Sequence, residues 1–320
     1  MTAYRPGQGL PTGLPIALPL ADTSEQASAQ VSAVSGSLRG TNPPVTSSPE
    51  PRYAPPRERH NARSLALLAD VMPARDREVL QRVAEHRFLT TKQIQAFTFT
   101  THETELAAAR TARRVVARLE RLHLLRSLDR RIGGYGEGSH PAVWQITSPA
   151  ARLLLDDGAT YRISEPSPRF LSHCLAVADV HLGLRELARL PQVHEVDVQT
   201  EPAAWRRYHG QGGELRWLQP DLAATIRARD FTDRWFLEVD LGTESLPTLL
   251  KKCGIYEQYR ATGIEQEQHG AFPLVLWLFT KQERADRLER AIVRSPRLTP
   301  QLYRFAVPDS IVQTMRETLT

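Results

Sequence analysis

Residues 216–259 read RWLQPDLAATIRARDFTDRWFLEVDLGTESLPTLLKKCGIYEQY. The pattern is strand, strand, tight loop, helix. Leu218 to Ile226 is an apolar run closed by a charged turn at 227–230, and Trp235 to Leu241 alternates as a mostly buried strand does. Gly242 to Glu244 breaks that strand, and Ser245 with Pro247 behind it marks a helix start. On this frame hang Asp221, Glu238, Asp240 and Glu244, then Lys251, Lys252, Tyr256 and Tyr259. Glu238 and Asp240 are two apart, so a strand turns both to one face. Apolar neighbours make that face half buried, and a buried carboxylate is costly unless it is paired or holds a cation. Together with Asp221 on the neighbouring strand, they predict a divalent-metal site or an ion-pair cluster.

The pattern continues outward on both sides. Upstream, Arg169–Leu190 reads as a helix apolar around much of its girth, with His173, Asp179 and Glu186 as polar interruptions on a satisfied or exposed rim. Val193–Thr200 follows as a strand ending at Glu201. Downstream come a buried strand at Phe272–Phe279, a helix at Gln282–Val293 and a short strand at Leu302–Val307. Helix, three strands, helix, strand, helix, strand is the order of an α/β sandwich over residues 168–320. A Gly, Ser and Pro-rich linker at 157–167 precedes it.

The first half has a different grammar. Residues 1–61 are rich in Pro and Ser, with Tyr4 and Tyr53 as the aromatics, and predict a disordered arm. Residues 62–156 read as a short leading helix and three helices, the second capped at Thr90 or Thr91 and the third running from about Glu103 to His123. A strand at Leu124–Leu128, a glycine-rich tip and a strand at Ala142–Thr147 come next, then a helix to Leu155. Three helices followed by a hairpin is the order of a winged helix-turn-helix. On the third helix Arg110, Arg114, Arg118 and Arg121 fall within an arc of about 80°, opposite Ala112, Val115, Val116 and Leu119. That face is predicted to bind duplex DNA, with Arg130 and Arg131 at the base of the hairpin tip reaching phosphate or the minor groove.

Charge distribution supports the assignment. The chain of 320 residues carries +5 overall, yet residues 74–131 alone hold thirteen Lys and Arg against seven Asp and Glu. The excess is therefore local. Only four of the 41 basic residues are lysines, so the arginine total by itself is weak evidence for DNA binding. Cys174 and Cys253 lie in helical patterns and read as reduced thiols of a cytoplasmic protein. No Cys/His spacing suggests zinc, and no apolar run reaches membrane-spanning length.

Pro220-Asp221, then Glu238-Val239-Asp240, is similar to the signature of the restriction-endonuclease-like core, which is Pro-Asp, a spacer and Asp/Glu-x-Lys. Asp240 stands where that signature has lysine, and Lys251 or Lys252 on the next helix would return an ammonium to the same place. A wider resemblance, to the replication-relaxation family, covers nearly everything after residue 70. It rests on the winged-helix pattern, Leu171–Val180 (with His173), Gln219–Asp221, Leu237–Glu244 (LEVDLGTE) and Lys252–Tyr256. The resemblance implies a DNA-binding accessory factor in plasmid replication or conjugative transfer, with a relaxase or replication initiator as protein partner; a winged helix often works as a dimer, so a second copy of the chain is a further expected partner. The alternative it implies is a nuclease or nickase in which Asp221 and Glu238 hold Mg²⁺ or Mn²⁺, whose preference for oxygen suits carboxylates, and Lys252 stabilises developing charge. Because the lysine of the signature is displaced, the accessory role without catalysis is the favoured expectation.

Overall fold

The computed structural model describes residues 60–128, 142–154, 165–229 and 231–317, and the fold is α+β. Almost all of the proposed arm, the hairpin tip with Arg130 and Arg131, and linker residues 157–164 lie outside the described residues.

The first half opens with α1 (Ala62–Val71) and α2 (Ala74–His86). A two-residue strand, β1 (Leu89–Thr90), leads into α3 (Thr91–Thr98). Thr90 starts that helix through a reciprocal cap: its hydroxyl accepts the Gln93 backbone N–H at 3.1 Å, and the Gln93 side-chain oxygen accepts the Thr90 N–H at 2.9 Å. Thr104 caps α4 (Glu105–Arg121), which buries Ala108, Ala112, Val115, Val116 and Leu119. β2 (Leu125–Ser127) and β3 (Val143–Ile146) follow, then α5 (Ser148–Leu154). The sheet order is β1-β3-β2, so β3 is central, which is why all four of its residues are buried. β1 went unread in the sequence because two residues show no periodicity; only pairing with β3 defines them as a strand.

The second half begins with α6 (Pro168–Leu187), capped by Ser167. Next are β4 (Val193–Thr200), β5 (Arg206–His209), β6 (Leu215–Leu218), β7 (Leu222–Ala228) and β8 (Thr232–Asp240). Then come α7 (Leu246–Arg260), α8 (Ile264–His269), β9 (Leu274–Phe279), α9 (Gln282–Val293), β10 (Tyr303–Ala306) and α10 (Ile311–Arg316). The main sheet runs β10-β9-β8-β7-β4, with β8, β9 and β10 parallel and β7 antiparallel to both its neighbours. α6 and α10 cover one face, packing Val180, Leu184 and Met315 on Leu222, Leu237 and Leu276. α7 and α9 cover the other, packing Cys253, Tyr256 and Leu288 on Phe236, Val275 and Trp277.

The expected strand Leu218–Ile226 is in fact two strands. Pro220 has no N–H to give a ladder, and the chain turns there so that Asp221 N–H bonds the Leu237 carbonyl at 3.1 Å. The part before the turn belongs to a separate hairpin, β5–β6, whose first arm showed no apolar alternation.

α6 is shared between the halves. Ala178 sits in the core of the first half. The Gln93 amide donates to the Leu175 carbonyl at 2.8 Å and to Asp179 at 2.7 Å. Asp179 is thus satisfied by an amide, not by a cation. His86 and His181, both buried, meet at 3.1 Å and pack on Phe97.

Candidate functional site

Two places gather the residues singled out in the sequence. The first lies where the ends of β4, β7 and β8 meet α6 and α7. The turn at Pro220 aims Asp221 across β8: its Oδ2 accepts the Val239 N–H at 2.7 Å and its Oδ1 meets His173 Nε2 at 3.1 Å. Glu238, fully buried, accepts the Tyr256 hydroxyl on Oε1 at 2.6 Å and pairs with Lys252 Nζ through Oε2 at 2.5 Å. Lys252 and Tyr256 are one turn apart on α7, so both reach the same carboxylate. The ammonium also lies 6.0 Å from the centre of the Trp277 ring. Lys251, next to it, is exposed.

Asp240 shares the face of Glu238, as its spacing requires, but is drawn to a different partner. Arg284 of α9 holds it, and its other oxygen accepts the Gly242 N–H at 2.9 Å. Gly242 has φ +85°, a conformation that strains other residues, so the tight turn and the carboxylate that closes it form one unit. Arg284 donates as well to the Glu244 carbonyl at 2.5 Å. Asp240 and Glu244 therefore brace the loop into α7. The Glu244 carboxylate acts at a distance, adding to the negative field at Lys252.

One member of the cluster stood in the sequence only as the end of a strand. Glu201, closing β4, pairs with Arg87 from the end of α2 at 3.0 Å. Arg87 adopts φ +66° and lies over the Phe170 ring. A non-glycine residue in that region is strained by about 1–3 kcal/mol and is held there by its surroundings. The contact joins residues 114 positions apart, so no local pattern could have signalled it.

The charges are matched one to one. Burial opposes ionisation of Asp221, but the Lys252 ammonium and the His173 bond outweigh it and hold its carboxyl below the usual value. Burial also works against charge on His173, and Asp221 overcomes it, raising that imidazole. Burial pushes Glu238 up to about 7, with Asp221 adding to the effect and Lys252 opposing it. Lys252 moves upward despite burial, because Glu238 and Asp221 both favour its charge. Tyr256 is driven up by burial and by Glu238, so it keeps its proton and donates.

These partners decide the fit of a divalent ion. A metal at Asp221 and Glu238 would have to displace His173 and Lys252, and Asp240 is already engaged by Arg284. Among the described residues, one trio brings His, Cys, Asp or Glu ligand atoms within 4.8 Å of one another: Glu85, His86 and His181. There Glu85 is taken by Arg82 at 2.8 Å, and the two imidazoles bond each other. The carboxylate cluster is built as an ion-pair node, and the arrangement does not fit a resident Mg²⁺ or Mn²⁺.

The second place is the outer face of α4. Arg110, Arg113, Arg114 and Arg121 are exposed there, around Ala117. Arg118, expected in the same stripe, is committed elsewhere: its guanidinium grips Asp76 of α2 through Nε at 2.9 Å and through a second bond from Nη2. Asp76 is buried, so the long arginine side chain is pulled over the helix edge to neutralise it. Arg113 was not on the expected list, yet its exposure widens the cationic face.

No helix among the described residues is long and apolar enough to cross a membrane. No curated protein and no solved structure matches the chain. The family model for replication-relaxation matches residues 80–275, from within α2 to the start of β9, well over half of the chain, with α4, Asp221, Glu238 and Lys252 inside the match. The chain belongs to the replication-relaxation family.

Proposed function

We propose that this protein is a DNA-binding accessory factor in the replication or transfer of a plasmid or other mobile element. In this reading the first half is a winged helix with α4 as its recognition helix, and the second half is a restriction-endonuclease-like domain kept as a binding platform. The exposed arginine face of α4 carries the proposal. Four guanidinium groups project from a helix whose opposite side is locked into a core, and among the described residues none of the four pairs with a carboxylate. Phosphate contacts of this kind position a protein on duplex DNA. Ala117 in their midst leaves room for close approach. A duplex-binding titration against salt tests it: the logarithm of affinity should fall steeply with the logarithm of salt, and Arg110→Ala with Arg114→Ala should flatten the slope by about two units. Absence of duplex binding at low salt would refute the proposal.

A second reading has one observation in its favour. Asp221, Glu238 and Lys252 stand together, the lysine arriving from α7 in place of the missing strand position. These are the residue types of the endonuclease signature, and in this reading an incoming divalent ion would have to displace His173 and Lys252 from the two carboxylates. Supercoiled plasmid incubated with Mg²⁺ or Mn²⁺ separates the two: nicking lost in Asp221→Ala would favour the enzyme, and intact plasmid with bound protein would favour the platform.

A further inference from the structure

We propose that the outer face of the β5–β6 hairpin, Trp217 with Trp205, Arg207 and His209, is a stacking platform for the unpaired bases of single-stranded DNA. The inference deepens the DNA-binding reading and rests on it.

The hairpin joins β4 to β7, which pair directly in the main sheet, and its two faces are unlike. Side chains alternate along a strand. Inward, Tyr208 and Leu218 are buried, and Tyr208 packs on Tyr259 with ring centres 5.2 Å apart. The Arg206 guanidinium bonds Glu265 at 3.1 Å, Gln199 at 3.2 Å and the carbonyls of residues 203–205, and Arg216 reaches Gln258 on α7 at 2.5 Å. The hairpin is therefore clamped to the domain and presents its other face rigidly.

That outer face is set by the register, which places Arg207 opposite Trp217 and His209 opposite Leu215. Trp217 is 47% exposed and Leu215 52%, whereas Trp144, Trp235 and Trp277 are buried. Burying a large apolar side chain gains about 1.5–3 kcal/mol, so an indole left in water forgoes that gain. Trp205 meets Trp217 edge to face, with ring centres 6.4 Å apart at 71°. That contact orients the ring, and Trp217 keeps 47% of its surface exposed. Arg207 makes no ion pair among the described residues, and the nearby Glu214 is engaged by Arg216. An aromatic plane beside a guanidinium that no carboxylate among the described residues engages suits bases joined by phosphates. Bases in a duplex already stack on each other, so the fitting partner is an unpaired strand.

Position supports the same partner. Leu218, the last residue of β6, is three residues before Asp221, and Glu201 ends the strand that leads into the hairpin. The platform is thus tethered on both sides to the ion-pair node. α4 offers cations without an aromatic plane, so the two surfaces divide the work: duplex at α4, unpaired strand at the hairpin.

The test uses the full chain, a labelled twenty-nucleotide oligo-dT and a duplex of equal length at one salt concentration. Stacking is worth roughly 1–3 kcal/mol per base, so Trp217→Ala should weaken oligo-dT binding about 5- to 150-fold and leave duplex binding unchanged. Trp217→Phe should recover most of the loss, since the plane is restored, and Arg110→Ala with Arg114→Ala should show the reverse selectivity. Unchanged oligo-dT affinity in Trp217→Ala, with duplex binding intact, would overturn the platform and leave the DNA-binding reading standing. Equal losses on both ligands, or a self-association of the wild type that Trp217→Ala abolishes, would also overturn it. If the wild-type chain binds neither ligand, the DNA-binding reading falls too.

Discussion

Arg118 offers the sharpest test of how the α4 face is divided. Two bonds tie its guanidinium to Asp76, whose side chain is 3% exposed, while the arginine itself remains 41% exposed. Arg118→Ala removes the cation and leaves a buried carboxylate behind. Breaking a buried pair costs about 3–5 kcal/mol. Two features argue for less. Solvent reaches one partner, and Asp76 lies in the first turn of α2, where the helix dipole favours a negative charge by about 0.3–1 kcal/mol. The expected loss is about 2–3 kcal/mol at neutral pH, and Asp76→Asn in the Arg118→Ala background should restore a good part of it. The assay is a urea unfolding series of wild type, both single variants and the double variant, with duplex affinity measured on each. Arg114→Ala should behave in the opposite way, losing affinity with a stability change within about 0.5 kcal/mol, as is usual for exposed positions. If Arg118→Ala is as stable as wild type and loses as much DNA affinity as Arg114→Ala, the division is wrong and Arg118 belongs to the binding face.

Glu238 carries a pH signature. Its folded pKa, about 7, lies above its unfolded value of 4.5, so its contribution is full below the unfolded value and fades as pH rises to the folded one. Glu238→Gln should therefore flatten the decline of stability between pH 4.5 and 7, read by melts across that range; an unaltered profile would remove the shift. The His86–His181 pair acts in the opposite direction. Burial, with Arg82 adding to it, lowers both imidazoles to about 3, so the stability they contribute is present above their unfolded value of 6.5 and is lost as pH falls toward 3. His181→Phe should make the protein less sensitive to acid between pH 6.5 and 4, and equal sensitivity in the variant would show that the pair is not buried between the halves. Lys252→Met should destabilise the protein by about 3–5 kcal/mol at pH 8, where Glu238 is ionised and unpaired, and by clearly less at pH 5; a pH-independent loss would assign the lysine to packing alone.

How much of this was legible beforehand follows from the range of each interaction. Strong periodicity reports local structure, and the elements at 193–200 and 282–293 carry the limits expected from their patterns. The shared face of Glu238 and Asp240 is equally local, a consequence of the two-residue repeat of a strand. So is the opposition of arginines and apolar residues on α4. Partner choice is not local. Nothing in the spacing told Asp240 from Glu238, yet Arg284, 44 residues away, takes one and Lys252 the other. The arginine stripe read four residues as equivalent, and a buried carboxylate 42 positions earlier withdrew Arg118 from it. The Arg87–Glu201 pair was invisible for the same reason, as was the hairpin, whose Tyr208 packs on Tyr259 of α7. Sequence alone determined which faces are apolar and which are charged, because that depends on neighbours one turn or one pleat away. Tertiary structure decided which charge meets which, because a buried carboxylate takes whichever cation the packing of distant elements brings within reach.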